Sequence, residues 1–439
     1  MLDIKLIREK PEFVKAALKK KGVDFDVDAL VVFDEKRRKK IQQVDEARAE
    51  HNALSAGIAG AVGKEKERKI AASKNLKTAL ADAEFELKAL DEEFLDIMYG
   101  IPNLPAEDVP QGKDESENKP IRTWGELPSF SFVPKDHMAL GEALDIIDVE
   151  RAAKVTGSRF NYLKAEAALL EFALVQFVMQ ALTNAETVRH IADGVERGYQ
   201  QKPFIPVLPP VMIRPEMFRR MARLTSADKD ERYYLQQDDM YLIGSAEHTL
   251  GSMHADEIIS EEHFPLRYVG FSTSFRREAG SYGKDARGIL RVHQFDKIEL
   301  ESFSLPEYSL KEHYFFIAVQ EYIMQLLMLP YRVVLICTGD MGRPNARQVD
   351  IEAWMPGQNM YRETHTADYM TDYQARRLNT KVKRSNGAVE VVHTNDATAV
   401  AIGRTLIAIL ENYQQEDGSV RIPDAVKPFM GGITEIRRI

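Results

Sequence analysis

Phe275-Arg276-Arg277-Glu278-Ala279-Gly280-Ser281-Tyr282-Gly283-Lys284-Asp285-Ala286-Arg287-Gly288-Ile289-Leu290-Arg291-Val292-His293-Gln294-Phe295-Asp296-Lys297-Ile298-Glu299 is the segment of the chain richest in chemistry-bearing residues. Gly280, Gly283 and Gly288 in its middle suit a turn or loop between two paired strands. On extended backbone, alternate residues share a face. Arg276 and Glu278 then point one way, and Arg291, His293, Phe295 and Glu299 point together. One sheet face would thus present arginines, an aromatic ring and carboxylates. Arginine offers a fixed fork of donors to phosphate oxygens. A phenylalanine offers a flat surface to a purine, and a carboxylate accepts from an exocyclic amine or a hydroxyl. A salt-bridged surface hairpin would not need Phe295 on its charged face.

Further β-type runs surround this segment at residues 241–243, 268–272, 289–292 and 331–335. They are not separated by regular crossover helices. This predicts an α+β fold built on an antiparallel sheet with flanking helices, not a doubly wound parallel sheet. Residues 165–182 read as a buried helix, and residues 399–413 as a final helix. No G-x-x-x-x-G-K-(S/T) loop and no strand-bound G-x-G-x-x-G occurs, so a nucleotide here would not be cradled by a glycine-rich loop.

The first part of the chain has a different texture. Leu76, Leu80, Ala83, Leu87, Leu90, Phe94 and Ile97 step by four and three, a heptad seam. Residues 28–56 carry a weaker stripe through Phe33, Ile41, Val44, Ala47 and Leu54, and the small residues of 55–63 suit a reversal between the two. A long antiparallel helical hairpin, a coiled coil, is the simplest object; a three- or four-helix bundle would use the same stripes. Residues 35–69 hold ten bases and six acids, a local +4 within a chain of net charge −9. A solvated helix face and an RNA-gripping arm explain that bias equally well. Residues 101–134, rich in Pro, Gly, Asp and Glu, read as a linker. The expected division is an N-terminal arm over 1–110 and a second domain over 111–439.

An acidic chain of 439 residues can touch nucleic acid only through a local patch. Cys337 is the only cysteine, which rules out an internal disulfide or a Cys-rich zinc site and suits a reducing cytosol. The start lacks the apolar region of a secretory signal, and no run of ~18 apolar residues suggests a membrane span.

With these residues in view, the segment from Phe275 to Glu299 resembles motif 2 of class II aminoacyl-tRNA synthetases in its seryl form, F-R-x-E-A-G-S followed by R-G-(L/I)-x-R-V-H-Q-F-x-K-x-E. Cys337-Thr338-Gly339-Asp340-Met341-Gly342 is similar to that family's C-T-G-D-M-G, and Gln374-Ala375-Arg376-Arg377 to its Q-A-R-R. Gly403-Arg404-Thr405-Leu406 through Glu411-Asn412-Tyr413-Gln414 is similar to motif 3, and Pro210 sits where motif 1 has its proline. The hairpin and Ile101-Pro102-Asn103-Leu104-Pro105 resemble the family's arm and its exit. The likeness runs through nearly the whole chain in order.

The resemblance implies a serine–tRNA ligase working with ATP and Mg²⁺ in the cytoplasm as a homodimer, with no membrane partner. Its substrates would be L-serine and tRNA(Ser), with tRNA(Sec) a second candidate acceptor. Arg276 and Arg404 would grip the α- and γ-phosphates, Arg291 would lie near the phosphates, Glu278 would accept from the adenine amine, and Phe295 would stack on the ring. Arg277, Val292, Thr364, His365 and Thr366 complete the implied ATP site, and Glu363 would hold Mg²⁺. Ser245, Ala246, Glu247, Arg276, Glu299, Asp396 and Thr398 would bind serine, Glu299 and Thr398 reading its hydroxyl. Catalysis would rest on Arg276, Arg404 and Glu363.

Three places depart from the family pattern, all at the amino-acid end. T-A-E is Ser245-Ala246-Glu247, E-(I/V)-S-S-C-S-N is Glu363-Thr364-His365-Thr366-Ala367-Asp368-Tyr369, and N-G-S-G is Asp396-Ala397-Thr398-Ala399. A carboxylate at 396 would repel the substrate carboxylate unless it is paired or aimed at the ammonium. His248, His293, His365 and His393 read as structural. A relative that loads a carrier protein is a competing reading, as is a non-catalytic RNA-binding paralogue. The basic hairpin argues against the former, and the presence of Arg276, Arg291 and Arg404 against the latter.

Overall fold

Leu76, Leu80, Ala83, Leu87, Leu90, Phe94 and Ile97 lie on one side of a single helix, and the residues between them are mostly exposed. In the computed structural model, which describes residues 1–225, 228–279 and 288–438, that helix is α2 (Gly63–Gly100), paired with α1 (Val27–Ile58). Asp26 caps α1 by accepting from the Ala29 amide at 2.9 Å. The seam needs only a narrow apolar stripe because ion pairs flank it. Arg37 reaches Asp91 at 2.5 Å and lies 4.5 Å over the Phe94 ring, Arg48 reaches Glu84 at 2.8 Å, and Lys40 pairs with Glu86. Several bases of residues 35–69 are thus answered by acids of the opposing helix. The reversal is shorter than expected: α1 continues through Ser55-Ala56-Gly57-Ile58. One glycine inside a helix costs only ~1 kcal/mol, less than pairing along the hairpin returns.

Met1–Leu104 forms one compact unit and Pro105–Ile439 a second. In the second, the described residues form an eight-stranded sheet from β1 (Lys119–Trp124), β2 (Ile205–Val207), β3 (Leu266–Phe275), β4 (Gln294–Ser304), β5 (Tyr331–Leu335), β6 (Arg347–Met355), β7 (Met360–Thr371) and β8 (His393–Ala401), in the order β1-β5-β6-β7-β8-β4-β3-β2. Every neighbouring pair is antiparallel except β2 with β3. Helices α3 (Ala165–Thr183), α4 (Ser309–Leu326) and α5 (Ile402–Tyr413) contribute to the main apolar core with the sheet. Strand β4 shows how the period of two divides labour. Ile298 and Leu300 are fully buried in that core, while Phe295, Lys297, Glu299 and Glu301 alternate with them.

Helix α3 is long and apolar enough to cross a membrane by length and composition, which the sequence reading did not expect. Here it is a core helix: Leu170, Leu174, Val178 and Leu182 have no exposed surface.

The segment read as a linker is ordered into the sheet. Strand β1 is the edge strand on β5, with a bulge between Pro120 and Arg122. A proline is tolerated there because an edge strand leaves one row of backbone groups outside the ladder. The approach to β1 is also anchored. Ala106 donates to the Ala346 carbonyl at 2.8 Å, Thr338 to that of Pro110 at 2.9 Å, and the Cys337 amide to Asn118 Oδ1 at 2.9 Å. A Cβ on Gly339 would lie 2.4 Å from the Lys113 carbonyl oxygen, so Cys337-Thr338-Gly339 serves close packing.

Two strand assignments change. Residues 289–292 are not a strand; β4 begins at Gln294. Residues 399–401 end β8, and α5 starts at Ile402. The turn expected over residues 280–287 lies outside the described residues.

Candidate active site

Strand β3 ends at Phe275 and β4 begins opposite it, Phe275 pairing with Gln294. Arg276 and Glu278 therefore lie beyond the strand, and Glu278 takes a left-handed φ of 54°. They do not share a pleat, yet they meet. One pocket is lined by Arg276, Glu278, Arg291, Val292, Phe295, Lys297, Glu363, Thr364, Thr366, Thr398, Gly403 and Arg404, drawn from β4, β7, β8, α5 and the loop ends. Of the ATP residues implied by the sequence, Arg277 and His365 do not line it. Arg277 lies 5.1 Å over the Tyr233 ring, and His365 is buried with Nδ1 2.8 Å from Thr364 Oγ1.

A register shift in β6–β7 pairs Ile351 with His365 and Glu352 with Glu363, so Glu363 and Thr364 both reach the pocket. Arg404, from the first turn of α5, lies 3.2 Å from Glu363 Oε1 and donates to the Glu363 carbonyl at 2.9 Å. Arg276 donates to the Gly244 carbonyl at 3.1 Å, with its guanidinium 5.2 Å from the Phe295 ring centre. Arg291 is paired with Glu278 at 3.0 Å. Enclosure works against the Glu363 charge, but Arg404 and Arg276 outweigh it and hold that carboxyl below its ordinary value. The result is a carboxylate between two guanidiniums beside an aromatic ring, suited to a polyphosphate carrying a flat base. A half-exposed carboxylate also fits a magnesium ion held chiefly by phosphate oxygens.

Of the residues implied for serine, Arg276 and Thr398 line the pocket. The others, Ser245, Ala246, Glu247, Glu299 and Asp396, are buried at 9% exposure or less. Thr398 Oγ1 donates to Glu299 at 3.1 Å, and Lys297 pairs with Glu299. Burial pushes the Glu299 carboxyl up, with Lys297 opposing. Glu247 Oε1 lies 3.1 Å from Arg223 Nε and 3.3 Å from His248. Burial would raise its pKa, but Arg223 and His248 hold it well below the carboxylate range. His248 itself is pushed down to about 3, chiefly by burial.

Asp396 is paired. Its Oδ2 lies 3.3 Å from Arg223 Nη2, and Asp368 Oδ2 lies 3.4 Å from the same nitrogen. Burial and the neighbouring acids still push the Asp396 carboxyl well above its ordinary value. Burial raises Asp368 to about 6 against the pull of Arg223.

Sequence reasoning missed two residues here. Lys297 was legible in principle, because i, i+2 spacing in a strand puts it beside Glu299. Arg223 carried no local signal; only the added carboxylates at 368 and 396 called for a cation. The histidines are structural in their contacts: His293 Nδ1 is 3.0 Å from the Arg276 carbonyl, and His393 Nδ1 is 2.8 Å from Ser309 Oγ.

Comparison with known proteins bears on this arrangement directly. Residues 1–105 match the family model of the seryl-tRNA synthetase N-terminal domain, and residues 232–413 match that of the class II tRNA synthetase core domain (G, H, P, S and T). The chain is 43% identical over 440 residues to the serine–tRNA ligase of Dictyoglomus turgidum, covering 100% of this chain and 99% of that one. It is 40% identical to that of Nitrosopumilus maritimus, covering 99% and 100%. The crystal structure of seryl-tRNA synthetase from Pyrococcus horikoshii complexed with ATP superposes with a TM-score of 0.87 at 39% identity, all of each chain covered. Sequence likeness, fold and both domains agree from end to end, and the chain belongs to the seryl-tRNA synthetase family.

Proposed function

We propose that the protein activates L-serine with ATP and transfers it to tRNA(Ser) in the cytoplasm. The observation that carries this reading is the gathering of Arg276, Glu278, Phe295, Glu363 and Arg404 around one pocket in a member of this family that matches its relatives from end to end. Activation is in-line attack by the serine carboxylate on the α-phosphorus, with pyrophosphate leaving. It demands little proton transfer, so positioning and charge neutralisation supply most of the rate. Arg276 and Arg404 would answer the charge on the phosphates, with Phe295 under the adenine and Glu278 at its amine. Glu363 would hold Mg²⁺, which when bound would supply further charge neutralisation. Glu247 would take the substrate ammonium, and Glu299 with Thr398 the hydroxyl.

Transfer requires a tRNA grip, which we assign to the α1–α2 hairpin. Lys64, Lys66 and Arg68 at its turn end are exposed, as a salt-sensitive backbone contact needs. A homodimer is supported by the exposed apolar residues Leu169, Phe172, Ile205 and Leu208 on and beside α3 and β2.

ATP–pyrophosphate exchange with a panel of amino acids tests the activation step; exchange with an amino acid other than serine would reassign the pocket. Deleting residues 35–94, with a short turn joining the ends, should leave exchange intact. It should raise the KM for tRNA by roughly an order of magnitude or more, as expected when several phosphate contacts are lost together. Equal loss of both activities would defeat the arm assignment.

A further inference from the structure

In the motifs this chain resembles, Asp368 stands at the last Ser of E-(I/V)-S-S-C-S-N and Asp396 at the Asn of N-G-S-G, and both are acidic here. They are cross-strand partners on β7 and β8. Two carboxyls directly opposite each other in a sheet are costly to ionise together, and burial compounds that cost. The compensating charge comes from outside the sheet. Arg223 is largely buried, with side-chain exposure of 16%, and it reaches Asp368, Asp396 and Glu247 at 3.4, 3.3 and 3.1 Å.

Arg223 is held in place by the Gln374-Ala375-Arg376-Arg377 motif. Arg377 Nε donates to the Arg220 carbonyl at 2.9 Å and Nη2 to that of Arg219 at 2.5 Å, while Gln374 Nε2 donates to the Met221 carbonyl at 3.2 Å. Gln374 also accepts from Thr394 on β8 at 3.0 Å, two residues from Asp396. The motif thus clamps the backbone just before Arg223 to the strand that carries one of its acids.

We propose that Arg223 is a positioning residue for the amino-acid end: it neutralises the Asp368–Asp396 pair and fixes the Glu247 carboxylate that receives the substrate ammonium. The inference rests on the serine-activation reading for its substrate, but on the ion network for its logic. Without Arg223, Asp368 and Asp396 would lose the cation they share, and Glu247 would be left with its contact to His248. With it, Glu247 keeps its charge and its orientation. The unit is an exchangeable set: removing the cation is harmful alone and tolerable when the two aspartates revert to neutral side chains.

The test is steady-state pyrophosphate exchange and thermal melting of the full-length chain, as wild type, Arg223→Gln, and Arg223→Gln with Asp368→Ser and Asp396→Asn. The single variant should raise the KM for serine roughly 30-fold or more, as removal of one partner of a buried ion pair does, and leave the KM for ATP within about twofold. The triple variant should recover most of both the serine KM and the Tm, because coupled residues are non-additive. A single variant with an unchanged serine KM would overturn the proposal. So would loss of activity in proportion to unfolded protein with both KM values unchanged, or a folded triple variant no better than the single one. If the single variant does not fold, the triple variant decides: folding with a near-wild-type serine KM supports the set, and failure to fold refutes it. Wild type that does not exchange with serine would sink the serine reading alone. The Arg223 reading would then stand or fall on whether the two reversions restore the Tm.

Discussion

The two ends of the pocket solve opposite electrostatic problems. On the proposed reading, Arg276, Arg404 and a half-exposed Glu363 form the ATP end and present charge to a ligand that brings charge of its own. At the amino-acid end, Glu247, Glu299, Glu301, Asp368 and Asp396 are buried, with Arg223 and Lys297 among them. Groups proposed to meet phosphate are constrained by bidentate geometry, which an arginine fork supplies and a lysine does not reproduce. Groups that tune a small buried cavity can change in sets, provided the set stays balanced. The arginines and Phe295 of the first end match the motifs the chain resembles, whereas the stretch from Thr364 to Tyr369, which runs between the two ends, and the positions around Ser245 and Asp396 depart from them.

Three measurements test that contrast. The largest effect belongs to the amino-acid end. Serine should be preferred over alanine by ~10⁴ or more in kcat/KM for exchange, because alanine would leave Glu299 and Thr398 without their hydroxyl. Comparable exchange with alanine would mean the buried set does not read a hydroxyl at all.

Next comes the ATP end. Arg276→Ala and Arg404→Ala should each lower kcat by roughly 10²–10³ with an unchanged circular dichroism spectrum, since each removes a donor aimed at developing charge. Near-normal exchange in either variant would take that arginine out of the nucleotide site.

The smallest effect tests the wall behind Phe295. Glu171 on α3 is raised to about 8, first by burial and then by Asp296, against an ordinary value of 4.5. Between those two values the folded chain keeps a proton that the unfolded chain has released. Stability from this group therefore falls as pH rises from 4.5 to about 8 and is level beyond. Glu171→Gln removes the dependence. Its Tm should match wild type near pH 5 and exceed it near pH 8.5 by roughly 2–4 °C. Parallel melting curves at both pH values would show that no proton is held there.

The sequence made some of this plain and hid the rest for physical reasons. The heptad seam was legible because a narrow stripe repeats over many turns, and the antiparallel sheet because strands outnumber crossover helices. The same-face argument put Arg276 and Glu278 together with Phe295, as the pocket does, but by the wrong route. They meet Phe295 through the bend after β3, and a left-handed residue such as Glu278 leaves no mark in a period-two pattern. Strand β1 was hidden because an edge strand buries little: its residues are exposed except for a half-buried Trp124. Arg223 was hidden because its partners are far along the chain.

That edge strand sets where the protein can be cut. A fragment beginning at Pro105 carries β1 and the anchors to Ala346 and Thr338 with it. A fragment beginning at residue 125 would strip the outer ladder from β5 and leave its backbone donors and acceptors facing solvent. Bare edges of that kind recruit strands from other molecules. The shorter fragment, although it keeps every residue of the pocket, would be the one that precipitates.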